Sequence, residues 1–64
     1  MKDRKILRAF AEDKLGEPIK SFNGLREGYE GACTIHVTTE KGEDKKVETY
    51  FRTILYYSWR HWAK

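Results

Sequence analysis

The chain has 64 residues, with 13 Lys and Arg against 10 Asp and Glu, 14% aromatic residues and a single cysteine, Cys33. A chain of this length makes one domain, residues 1–64, which buries only about 60% of its unfolded surface and draws roughly 3–5 kcal/mol from its core. One cysteine excludes an intrachain disulfide, and no CxxC or paired Cys/His spacing offers a structural zinc site.

A lone thiol fits a reducing compartment, and the charged opening MKDRK leads into no apolar signal segment, so the sequence reads as a complete cytoplasmic protein. The apolar-rich run at 53–59 is far shorter than the ~20 residues of a membrane span. Charge is unevenly placed. Residues 1–20 carry six basic and four acidic groups, residues 21–40 one and three, and residues 41–64 six and three. The ends are basic and the middle is acidic, a pattern able to steer an anionic partner.

Residues 3–15 are predicted to form an amphipathic helix. Ile6, Leu7, Phe10, Ala11 and Leu15 share one stripe. Asp3 is positioned as an N-cap, Gly16 as the C′ glycine, and Pro18 stops continuation. Lys2, Arg4, Lys5 and Arg8 crowd the N-terminal end, where the helix dipole disfavours cations by a few tenths of a kcal/mol each.

Residues 19–22 read as a short strand that Pro18 confines to an edge, with Asn23-Gly24 as a tight turn. Gly24, Gly28 and Gly31 then mark irregular backbone. Residues 32–40 are the clearest strand. Cys33, Ile35, Val37 and Thr39 lie on one face and Thr34, His36 and Thr38 on the other. KGED at 41–44 is the turn. Residues 45–52 return with Val47, Thr49 and Phe51 facing in.

The closing segment, residues 50–64, holds six aromatic residues, three basic ones and no acid. Its composition favours a strand, because Thr, Ile, Tyr and Trp suit pleated surfaces. Its length favours a helix, because a strand over 45–62 would run about 60 Å. The preferred expectation is a long curled hairpin, with Glu40 opposite Lys45, Ala32 opposite Thr53 and Leu25 facing Arg60. The fold class is therefore α+β, an N-terminal amphipathic helix on a curved antiparallel sheet of three to four strands (α-β-β-β). The alternative adds a C-terminal second helix (α-β-β-β-α). On both readings Phe51, Leu55 and Trp59 are expected in the core, with Tyr56 and Arg60 outward. Trp62 is outward on a strand and turns towards the core on a helix.

In element order the first form resembles cystatin-like folds. The second resembles a double-stranded RNA-binding domain. The last helix of those domains opens with a lysine cluster that grips phosphates; the corresponding stretch here, RTILYY, has one basic residue. Element order by itself assigns no function, and no family is assigned on it.

No set of groups converges for catalysis. His36 sits among threonines on the outer strand face, and Cys33, three residues away, faces the other side, so the two form no local nucleophile–base pair. We expect no enzyme, no metal and no cofactor. The favoured expectation is a non-enzymatic protein-binding or inhibitory module that also forms homodimers, acting through Tyr50, Arg52, Tyr56, Arg60, His61 and Trp62. Trp, Tyr and Arg are the types enriched in interface hot spots. The alternative is a nucleic-acid binder using Lys2, Arg4, Lys5, Arg8, Arg60 and Lys64, cations set among stacking rings.

Overall fold

The computed structural model describes the backbone of residues 2–62 and the side chains of residues 4–61. The order is helix α1 (Lys2–Leu15), strand β1 (Ile19–Glu27), a short 3-10 turn (Tyr29–Gly31), strand β2 (Ala32–Thr39), strand β3 (Asp44–Tyr50) and helix α2 (Phe51–Trp62). The three strands form one antiparallel sheet in the order β1-β2-β3, so each strand pairs with its neighbour in sequence. The α-β-β-β-α form is the correct one, and the preferred curled strand over 51–62 is overturned.

The reason is main-chain accounting. Strand β2 begins at Ala32, which lies opposite Tyr50. From Phe51 onward no facing strand remains. The N–H and C=O groups must then be satisfied within the segment itself, and a helix does this.

Helix α1 ends as its sequence predicts. Gly16 takes the left-handed conformation (φ 71°), and its N–H donates to the Glu12 carbonyl at 2.8 Å. The helix begins at Lys2, so Asp3 falls inside the first turn and not before it. The stripe is as read: Ile6, Phe10 and Ala11 are buried, with Leu7 and Leu15 packed against them.

Both helices cover the same face of the sheet. Ile19, Cys33, Ile35, Val37, Thr39 and Val47 point into that face, and Ile6, Phe10, Ala11 and Ile54 close over them. Phe10 meets the Tyr57 ring edge-on, with centroids 5.4 Å apart and planes at 81°. Thr39 is the buried polar residue of this face, and its hydroxyl accepts a hydrogen bond from the Glu43 N–H at 3.3 Å.

The predicted alternation of the hairpin faces holds, but its register differs. Ile35 faces Val47 and Ala32 faces Tyr50, three residues from the expected pairing of Ala32 with Thr53. Directly opposed residues share a face. The expected register would have set inward Ile35 against outward Tyr50. The turn spans residues 40–42. Gly42 (φ 86°) donates to the Thr39 carbonyl at 2.9 Å, and the Thr39 N–H returns to the Glu43 carbonyl at 2.9 Å. This is a three-residue hairpin loop closed by a glycine in the left-handed region.

Strand β1 is longer than predicted and does lie at the edge. Leu25 pairs with Ile35 and not with Arg60. Asn23-Gly24 makes no turn. It lies within the strand, where the register shifts between Phe22 and Gly24. The Asn23 amide donates to the Thr38 hydroxyl at 2.7 Å, and that hydroxyl donates to Asp44 at 3.0 Å, linking three strands across the bare face.

Two side chains of α1 fasten the start of β1. The Arg8 guanidinium donates to the Ile19 carbonyl at 2.6 Å, and the Ile19 N–H donates to the Glu12 carboxylate at 3.0 Å. Arg8 and Glu12 also approach each other at 4.0 Å. One of the four cations that crowd this helix end is therefore structural.

Candidate protein-binding surface

Helix α2 buries one narrow face and exposes the rest. Ile54 is the buried anchor, 8% exposed, with Phe51 and Tyr57 half-buried beside it. Leu55 and Trp59, expected in the core, are 68% and 70% exposed. The expected stripe 51/55/59 is rotated from the observed one, 51/54/57. A helix that is apolar nearly all round does not specify by its own sequence which side it buries.

Leu55 and Trp59 are four residues apart and stack as neighbours along the outward side. Arg52, Tyr56 and Arg60 form the adjoining row, all exposed, with Tyr56 at 60%. The helix contains no carboxylate. Beside it an open apolar groove of about 280 Å³ runs between Ile6 and Leu7 of α1, Leu25 of β1, and Phe51, Ile54 and Leu55 of α2. A second hollow lies on the other side of α2, where Tyr56, Tyr57 and Arg60 face Phe10, Asp13 and Lys14 of α1. Burial, and after it the Asp13 carboxylate, pushes the Tyr57 phenol above its usual pKa.

The residues predicted for partner contact do not all sit together. Arg52, Tyr56 and Arg60 share one row of α2. Tyr50, at the end of β3, is exposed and lines a separate hollow with Arg52 and Glu30. His61 is exposed and stacks on Tyr57, with centroids 6.0 Å apart and planes at 14°. The Trp62 side chain lies outside the described residues.

The alternative set divides further. Arg4 and Lys5 are exposed on α1, while Arg8 is held by the clamp on Ile19. The Lys2 side chain and Lys64 lie outside the described residues. Leu7, Leu25, Leu55 and Trp59 are the contact candidates that the sequence did not give. The signal that points to them is a surplus: a 12-residue helix with one face to bury carries Phe51, Ile54, Leu55, Tyr56, Tyr57, Trp59 and Trp62.

Elsewhere the chemistry is plain. The Cys33 thiol is buried, and burial, followed by the Glu27 carboxylate, raises its pKa and holds it protonated. His36 stands half-buried on the bare face of the sheet, opposite Lys46. Among the described residues no group of three or more His, Cys, Asp or Glu is placed to hold a metal ion, and no helix is long and apolar enough to cross a membrane. No family model, curated protein or solved structure matches the chain.

Proposed function

We propose that this protein is a small non-enzymatic binding module that captures a partner protein on the outward side of α2. The observation that carries this reading is the exposure of Leu55, Tyr56 and Trp59 on one helix, next to an open apolar groove. Large apolar and aromatic side chains grouped at a surface with arginine have the composition of an interface centre. A second copy is the less favoured occupant. A two-fold pairing of this face sets the arginines of one copy against those of the other, with no carboxylate on either helix to offset them.

The test is site-specific photo-crosslinking in the source cell. A photoreactive residue at Trp59 should give a discrete protein adduct, and one at Lys20, an exposed position on β1, should not. Adducts of equal yield at both positions, or none at Trp59, would refute the reading.

A second reading, nucleic-acid binding, is favoured by one observation. Arg52 and Arg60 flank Tyr56 and make no ion pair among the described residues. Retention on single-stranded DNA that falls steeply between low and moderate salt would support it.

A further inference from the structure

We infer that the partner presents an acidic segment carrying a large apolar anchor. Its carboxylates would engage Arg52 and Arg60, and its anchor would fill the groove between Leu7, Leu25 and Leu55. This rests on the reading of α2 as the binding surface and adds the chemistry of what binds there.

Charge is the first ground. Some exposed cations are neutralised within the fold: Lys45 pairs with Glu17 at 3.2 Å and with Glu43 at 3.7 Å, and Lys46 with Glu48 at 3.9 Å, while Lys20, Arg26 and Lys41 stand apart from one another along the chain without an ion pair among the described residues. Arg52 and Arg60 have no such partner among the described residues, and their own helix supplies no carboxylate. Arginine binds carboxylates through paired hydrogen bonds, and such pairs also speed encounter.

Spacing is the second ground. Eight residues at 1.5 Å rise separate the two arginines by about 12 Å along the axis. Tyr56 lies between them in the same row, and the Leu55–Trp59 ridge runs alongside. The groove opens beside Leu55, on the far side of that ridge from the arginines, so a segment that reaches both the arginine row and the groove must cross the apolar ridge.

The lining of the groove is the third ground, and it separates protein from nucleic acid. Five of its side chains, Ile6, Leu7, Leu25, Ile54 and Leu55, are aliphatic, Phe51 supplies its one ring, and Ser58 is its one polar side chain. A phosphate backbone gains nothing from such a surface, and bases need exposed rings to stack on. An aliphatic or aromatic protein side chain is what the groove fits.

The experiment is a selection of random phage-displayed peptides on the immobilised protein. It is run in parallel on Arg52→Glu/Arg60→Glu and on Leu55→Ser/Trp59→Ala, each first shown by circular dichroism to be folded. The wild type should enrich peptides with Asp or Glu on both sides of a Leu, Ile, Phe or Trp. Measured by fluorescence anisotropy, those peptides should lose roughly tenfold or more in affinity on either variant. The charge-reversed variant should enrich basic peptides instead.

Peptides with apolar anchors but no acidic bias, lost on Leu55→Ser/Trp59→Ala and retained on Arg52→Glu/Arg60→Glu, would overturn the inference and leave the α2 surface standing. Peptides retained on both variants, or no enrichment over Leu55→Ser/Trp59→Ala, would overturn both. A short single-stranded DNA that displaces every selected peptide at lower concentration would overturn the inference in favour of nucleic acid.

Discussion

Ile54 and Leu55 are adjacent in sequence and opposite in environment, and substituting each by Ala tests the placement of α2 directly. Ile54 is 8% exposed and belongs to the core cluster. Replacing it by Ala removes three carbons, about 2.4 kcal/mol at roughly 0.8 kcal/mol each. The cavity left under the helix raises the cost towards about 3–4 kcal/mol. That is most of the roughly 3–5 kcal/mol expected at this size. Each kcal/mol shifts Tm by about 4–8 °C in so small a domain, so Ile54→Ala should melt at least about 10 °C lower or be unfolded. Leu55 is 68% exposed. The same three carbons are there only about a third buried, and Ala is the better helix former, so the expected loss is below about 0.8 kcal/mol. Thermal melts followed by circular dichroism read both. Equal losses, or a larger loss at Leu55, would refute the placement and restore the 51/55/59 core.

The hairpin faces should be equally asymmetric: Val37→Asp puts an unpaired charge among Ile35 and Val47 and should unfold the chain, whereas Thr38→Val on the bare face forfeits its hydrogen bonds to Asn23 and Asp44 for about 1 kcal/mol. Denaturant titrations with similar midpoints for the two would sink the face assignment. Tyr57 has a raised pKa in the fold, so its contribution is complete below the ordinary phenol value of about 10 and is lost as pH rises through the higher folded value. The alkaline decline in Tm should therefore be shallower in Tyr57→Phe; Lys45, also raised, titrates in both proteins and cancels in the comparison. Gly42 closes the hairpin at φ 86°, so Gly42→Ala should cost about 1 kcal/mol and Gly42→Asn less, and equal shifts in urea midpoint would show that the turn is not strained by a side chain.

Helix α1 was legible in the sequence because three signals agreed: the apolar stripe, the glycine stop and the proline beyond it. The faces of the hairpin were legible because strict alternation leaves no choice. Its register could have been read too. Cys33, Ile35, Val37 and Val47 all face inward, and only a pairing that sets inward residues opposite one another is consistent; a pairing of Ala32 with Thr53 breaks this rule. Helix α2 was ambiguous for a physical reason. Its apolar residues fill both a strand pattern and a helix pattern, and the contest was decided by where β2 runs out, which local sequence does not state. The same ambiguity hid the exposed face of α2. Leu55 and Trp59 look like core until Ile54 and Tyr57 are seen to occupy the buried side, so the most exposed apolar residues of the helix were assigned inward. Tyr56 and Arg60 were placed outward correctly because both stripes leave them out.

The clamp that Arg8 and Glu12 place on Ile19 also affects how the protein meets other chains. An edge strand with a free N–H and C=O invites a neighbour to add a strand, the first step of aggregation. Here both main-chain groups of Ile19 are taken by side chains of α1. Pro18 next to it has no N–H to offer, and two irregularities between Ile19 and Gly24 break the ladder further along. The opposite edge, β3, is only seven residues long and begins with Asp44, Lys45 and Lys46. Strand addition is blunted on both sides of the sheet. A chain that carries a bare apolar helix face at cellular concentrations needs its other adhesive surfaces silenced, and the helix-to-strand clamp silences one of them with the same two side chains that hold the fold together.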